Sequence, residues 1–127
     1  MESEQELSRS PFLGALFEGF VASEILKHQI GAGRPRQLYY FRDQQGLEVD
    51  FVVPAGHRRL VLVEAKASRT VMPQMGIALD RLAAAVARYR ITRFLVYRPR
   101  GEPAGLSGLR PGVQAGNVGR LLALLSP

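Results

Sequence analysis

Apolar residues recur three or four apart near the start of the chain, at Phe12, Leu13, Leu16, Phe17, Phe20, Val21 and Ile25. That is the period of a helix with one face on a core. Ser10-Pro11 supplies a capping hydroxyl and a proline at the first helical position. The pattern therefore predicts a helix to about Gln29, ended by Gly31 or Gly33. The period then shortens. Gln37–Arg42 is rich in strand formers, Asp43-Gln44-Gln45-Gly46 is a turn, and Leu47–Val53 and Leu60–Ala67 read as two strands around Pro54–Arg59. Ser68–Pro73 is a loop. Helical spacing returns over Met75–Tyr89, through Ile77, Leu79, Leu82, Ala83 and Val86. Thr92–Tyr97 is a near-continuous apolar run, expected as a buried fourth strand. Arg98–Gly116 has no period to assign, and Asn117 is placed to cap a short helix over Val118–Leu125.

The order is thus helix, three strands, helix, strand and tail. It predicts an α/β domain with a mixed sheet flanked by helices. The helical connection makes the third and fourth strands parallel, through a right-handed crossover. Residues 1–9 are polar and expected to be flexible, residues 10–98 form the core, and residues 99–127 add a connector and a short helix to the same domain.

Composition narrows the setting. The 127 residues are 46% hydrophobic, enough for one folded domain. No apolar run approaches the ~20 residues that cross a bilayer. Met1-Glu2-Ser3-Glu4-Gln5-Glu6 lacks the basic start and apolar stretch of a signal peptide. With no cysteine, disulfides and thiolate metal sites are excluded, so a cytoplasmic location is expected and a membrane partner is not. The net charge of +6 favours polyanionic partners, chiefly nucleic acid. All 17 basic residues except Lys27 and Lys66 are arginine, so a lysine at 66 hints that a compact ammonium is wanted there.

The chemistry lies on the central hairpin. A turn centred on His57 sets Asp50 opposite Glu64 and Glu48 opposite Lys66, while Val49, Phe51, Val53, Val61, Val63 and Ala65 share the other face. Like charges directly opposite on a sheet are destabilising, by on the order of half a kcal/mol when solvated. A divalent cation held between two carboxylates removes that penalty, and an oxygen-only site suits Mg²⁺. A solvated face with cross-strand salt bridges is the plainer alternative, and a one-residue slip would undo the assignment.

These residues in this order resemble the PD-(D/E)XK nuclease superfamily. Its restriction-endonuclease-like αβββαβ core carries an acidic residue on the second strand, matched by Asp50, and Glu-x-Lys on the third, matched by Glu64-Ala65-Lys66. Gly14-Ala15-Leu16-Phe17-Glu18 matches a glutamate four residues after a glycine on the first helix. This favours Glu18 over Glu24, which remains a secondary candidate with Glu48. No proline precedes Asp50, a departure from the common pattern. A closer likeness is to the domain of unknown function 4143, found as the C-terminal module of AAA-type ATPases. It is carried by Gly14–Val21, Tyr40-Phe-Arg42, Glu48-Val-Asp-Phe51 and Glu64-Ala-Lys66.

The resemblance implies a metal-dependent nuclease acting on phosphodiesters, DNA more than RNA. Asp50, Glu64, the Ala65 backbone carbonyl and Glu18 would hold Mg²⁺ or Mn²⁺, and Lys66 would orient water or stabilise developing charge. It equally allows an inactive nucleic-acid-binding or dimerisation module that partners an ATPase, with a homodimer as one form. The chain has no phosphate-binding glycine-lysine loop, so ATP hydrolysis is not expected of it alone.

Arg34, Arg36, Arg42 and Arg69, with Arg58 and Arg59, are expected near the site as phosphate contacts, or as ordinary solvated surface. Gln74 is a candidate nucleic-acid contact at the start of the second helix. His28 and His57 lack the paired spacing of a zinc site. Tyr39, Tyr40 and Tyr97 are expected as core or edge residues rather than stacking platforms.

Overall fold

Val61, Leu62 and Val63 form a continuous apolar run, and such a run needs cover on both faces. In the computed structural model, which describes residues 11–101 and 107–126, it has that cover. The elements run α1 (Pro11–Gly31), β1 (Tyr39–Arg42), β2 (Glu48–Pro54), β3 (Arg59–Ala65), a 3₁₀ turn (Pro73–Gly76), α2 (Ile77–Ala85), β4 (Arg90–Val96), β5 (Ser107–Arg110), β6 (Val113–Gly116) and α3 (Val118–Leu125). They form one six-stranded mixed sheet, ordered β1-β2-β3-β4-β6-β5, flanked by three helices. The expected cap at Ser10 and the N-terminal segment lie outside the described residues.

β1, β2 and β3 are antiparallel neighbours, and β3 and β4 are parallel, as the connection through α2 requires. Two cores result. On one face α1 and α3 bring Val21, Ile25 and Leu121 onto Phe51, Val61, Val63 and Phe94. On the other, α2 sets Leu79 and Leu82 on Leu47, Val49 and Leu62. The hairpin therefore does not have one apolar and one charged side. Its charges sit at one end of a sheet covered on both faces.

Val49 is a correction with a local cause. From Val52 to Val49 β2 advances three residues, while β1 advances two, from Tyr39 to Phe41. The extra residue is a bulge at Asp50–Phe51, opposite Tyr40. It reverses the alternation, so Val49 packs under α2 while Phe51 and Val53 pack under α1.

Three other expectations change. The helix expected over 75–89 is a 3₁₀ turn followed by a shorter α2 that ends at Ala85, where Val86 leaves helical geometry at φ −116° and ψ 51°. The unassigned connector contains β5 and β6, joined at Pro111-Gly112. Gly112 has φ +78°, and a Cβ there would run into the Arg93 guanidinium. Finally, α1 buries only Phe17, Val21, Ile25 and Gln29, leaving Phe12, Leu16 and Phe20 exposed. The C-terminal helix matches its prediction, with Asn117 Oδ1 accepting from the Arg120 N–H at 2.9 Å.

Candidate functional site

The hairpin register is the expected one. Phe51, Val52, Val53 and Pro54 face Val63, Leu62, Val61 and Leu60, centred on His57. One step further, at Asp50 and Glu64, side chains take over from the ladder. The Asp50 N–H donates to Glu64 Oε1 at 3.2 Å, and the Ala65 N–H donates to Asp50 Oδ2 at 2.8 Å. The bulge in β2 accounts for this fork, because it turns the backbone of β2 out of the regular ladder. The N–H and C=O of a strand residue project to the same neighbour, so Ala65 directs its carbonyl toward the fork as well.

β3 stays paired with β4 on its other side to the end. Lys66 N–H donates to the Val96 carbonyl at 2.9 Å, and Arg98 holds the following loop through the Ala67 carbonyl at 2.7 Å. Lys66 thus leaves from an anchored backbone, and its Nζ lies 3.8 Å from Glu64 Oε2. From α1, Glu18 reaches the same place and hydrogen-bonds the Asp50 side chain. Glu18 lines two depressions. One, of about 250 Å³, also borders Tyr40, Arg42, Glu48 and Asp50; the other, of about 430 Å³, borders Gly14, Ala15 and Lys66.

The electrostatics are lopsided. Burial, followed by the hydrogen bond and the negative charge of Asp50, pushes Glu18 up to about 7 against the pull of Lys66. Burial and then the Asp50 charge push Glu64 up to about 7, against the Asp50 N–H and Lys66. Glu64 is only 7% exposed. A buried carboxylate crowded by others lacks positive charge around it.

Of the other candidates, Arg42 and Glu48 are at the site's rim as an exposed ion pair, 2.8 Å apart. Glu24 is six residues, about 9 Å of helix, beyond Glu18 and pairs with Lys27 at 3.6 Å. Arg34 lies by Gln37, Pro54 and Gly56 and reaches the Leu125 carbonyl, at the end of β2 about 13 Å from Asp50. Arg36 precedes β1 and belongs to that far end, as do Arg58 in the hairpin turn and Arg59 at the start of β3. Arg69 is half-buried in the loop after Lys66. Gln74 is exposed in the 3₁₀ turn, whose Pro73 carbonyl accepts from Arg110 on β5, three strands from β3. It is not brought to the acids.

Tyr40, expected as a core or edge residue, lies on the edge strand β1. It is 76% exposed and lines the smaller depression. Leu38 marks the covered face of β1, and the two-residue alternation from Leu38 was the available signal.

The sheet and this acidic fork define a mixed α/β domain with an oxygen-rich polar cleft at one end of its central strands. The chain belongs to DUF4143, a family described as a domain of unknown function, whose profile matches residues 13–110. Neither a curated protein nor a solved structure gives a match. Among the described residues no helix is long and apolar enough to cross a membrane.

Proposed function

We propose that this domain is a PD-(D/E)XK-type, divalent-metal-dependent nuclease, with DNA as its first substrate. The observation that carries the reading is the fork itself, where Asp50, Glu64, Lys66 and Glu18 converge from β2, β3, the strand's end and α1. The element order α1-β1-β2-β3-α2-β4 agrees with that superfamily's core.

Among the described residues, no three His, Cys, Asp or Glu side chains form a ready-made metal cage. The donor set nonetheless fits Mg²⁺ or Mn²⁺. Such ions take one or two carboxylates, keep several waters, and complete their shell with substrate phosphate. Asp50, Glu64 and the Ala65 carbonyl would hold the ion, with Glu18 beside it. When bound, the metal supplies charge neutralisation at the phosphate and a more acidic water. Lys66, fixed through its backbone to β4, orients that water or stabilises charge on the phosphate oxygens. Glu18, raised to about 7 and so partly protonated near neutral pH, would give up its proton when positive charge arrives.

A second reading has its own observation. The outward side of α1 exposes Phe12, Leu16 and Phe20 one turn apart, a second apolar stripe beside the buried one, and such an exposed patch suits a partner. A non-catalytic module docking on an AAA-type ATPase, or on itself, would use that side. The test is incubation with plasmid and single-stranded DNA plus Mg²⁺ or Mn²⁺, beside Asp50→Ala and Lys66→Ala. Metal-dependent cleavage lost in both variants supports the nuclease. Absence of cleavage by every form, with nucleic-acid or ATPase binding intact, supports the module.

A further inference from the structure

Tyr40 is the most exposed of the large apolar residues described, ahead of Phe12 at 68% and Ile30 at 57%. Burial does not explain its place. Leu38, on the same side of β1 by alternation, packs into the core under α1, whereas Tyr40 stands over the depression shared with Glu18 and Asp50. The bulge in β2 sets Asp50 and Phe51 together opposite it, so ring and carboxylate are held at one level of the sheet. A tyrosine on a strand has two side-chain torsions to fix, so it offers a broad face at little entropic cost.

We propose that Tyr40 stacks on an unpaired nucleobase and so directs the site to single-stranded or frayed nucleic acid. This rests on the nuclease reading above. In a duplex both faces of a base are already stacked on its neighbours, and a ring can offer a face only to a base that has left the stack. The depression, about 250 Å³ and bordered by the acids that would meet the phosphodiester, has room for one base beside them. Arg42, on the same side of β1 and two residues on, lies where the adjoining phosphate of such a strand would pass.

The test is binding of a single-stranded oligonucleotide carrying 2-aminopurine, with Ca²⁺ replacing Mg²⁺ so that the strand stays uncut. Stacking is read by fluorescence quenching and affinity by anisotropy. Tyr40→Ala should weaken single-strand binding about tenfold and abolish the quenching. Tyr40→Phe and Tyr40→Trp should keep both, and duplex affinity should move less than twofold in all three. Unchanged single-strand binding by Tyr40→Ala overturns the proposal, and so does failure of the aromatic variants to restore it. If the wild type cuts plasmid but shows no quenching, this inference falls and the nuclease reading stands. If it neither cuts nor binds any nucleic acid, both fall.

Discussion

Asp80 meets two guanidinium groups, whereas among the described residues Glu18, Asp50 and Glu64 gather round one ammonium, that of Lys66. On the α2 side, Asp80 Oδ2 lies 2.8 Å from Arg110 Nε, and Arg93 takes the other oxygen. This arrangement ties α2 to β4 and to the β5–β6 hairpin. Each carboxylate oxygen faces a guanidinium, and these charge-assisted contacts brace the fold. The acidic fork is built the opposite way. Glu18 and Glu64 are raised to about 7, first by burial and then by the neighbouring Asp50, with Lys66 only partly offsetting this. A carboxylate fully compensated by its neighbours strengthens the fold, and a cluster kept short of positive charge is suited to receive it from a ligand.

The largest expected effect separates the two clusters by activity. Asp50→Ala or Lys66→Ala should lower metal-dependent cleavage by more than about 100-fold, while melting temperature stays near that of the wild type. Asp80→Ala should do the reverse. It leaves two half-buried arginines without their shared acceptor and should cost about 2 kcal/mol, measured by urea unfolding, with cleavage retained in the folded fraction.

A smaller effect has the opposite sign. Glu18 and Glu64 titrate at about 7 when folded against 4.5 when unfolded. The unfolded chain therefore loses these protons first as pH rises. The contribution of these two groups to stability is fullest below about 4.5, falls between about 4.5 and 7, and stays reduced above. Glu64→Gln removes its share, so the variant should exceed the wild type at pH 8 by on the order of 1 kcal/mol and match it at pH 4.5. Mg²⁺ added at pH 8 should raise the melting temperature of the wild type and leave Asp50→Ala unmoved. The smallest effect belongs to the exposed Arg42–Glu48 pair, where Glu48→Ala should change stability by less than about 0.5 kcal/mol.

Much of the fork was legible because its determinants are local. A turn centred on His57 fixes which residues oppose, and the register of Phe51 against Val63, one step from the two acids, follows by counting. Asn117 declares its helix in the same way. What escaped depends on neighbours distant in sequence. The bulge shows only when β1 is laid beside β2, so Val49 was assigned to the wrong face. β5 and β6 are four residues each, too short for a period, and are held by β4 and the Asp80 pairing. The arginines of the 34–36 loop were counted near the acids because sequence shows charge but not which end of a strand it serves. The run in α1 looked like one stripe, yet residues three and four apart fill more than half the circumference, and only Phe17, Val21, Ile25 and Gln29 turn inward.

The doubled residue in β2 also constrains how this chain can vary. Removing one residue at Asp50–Phe51 would restore strict alternation and rotate everything upstream by half a turn, sending Val49 out of its apolar setting and carrying Leu47 with it. Single-residue gaps should be tolerated in the surface loops but rejected here, so the count of residues from the hairpin tip back to the acid is as firmly set as the acid itself.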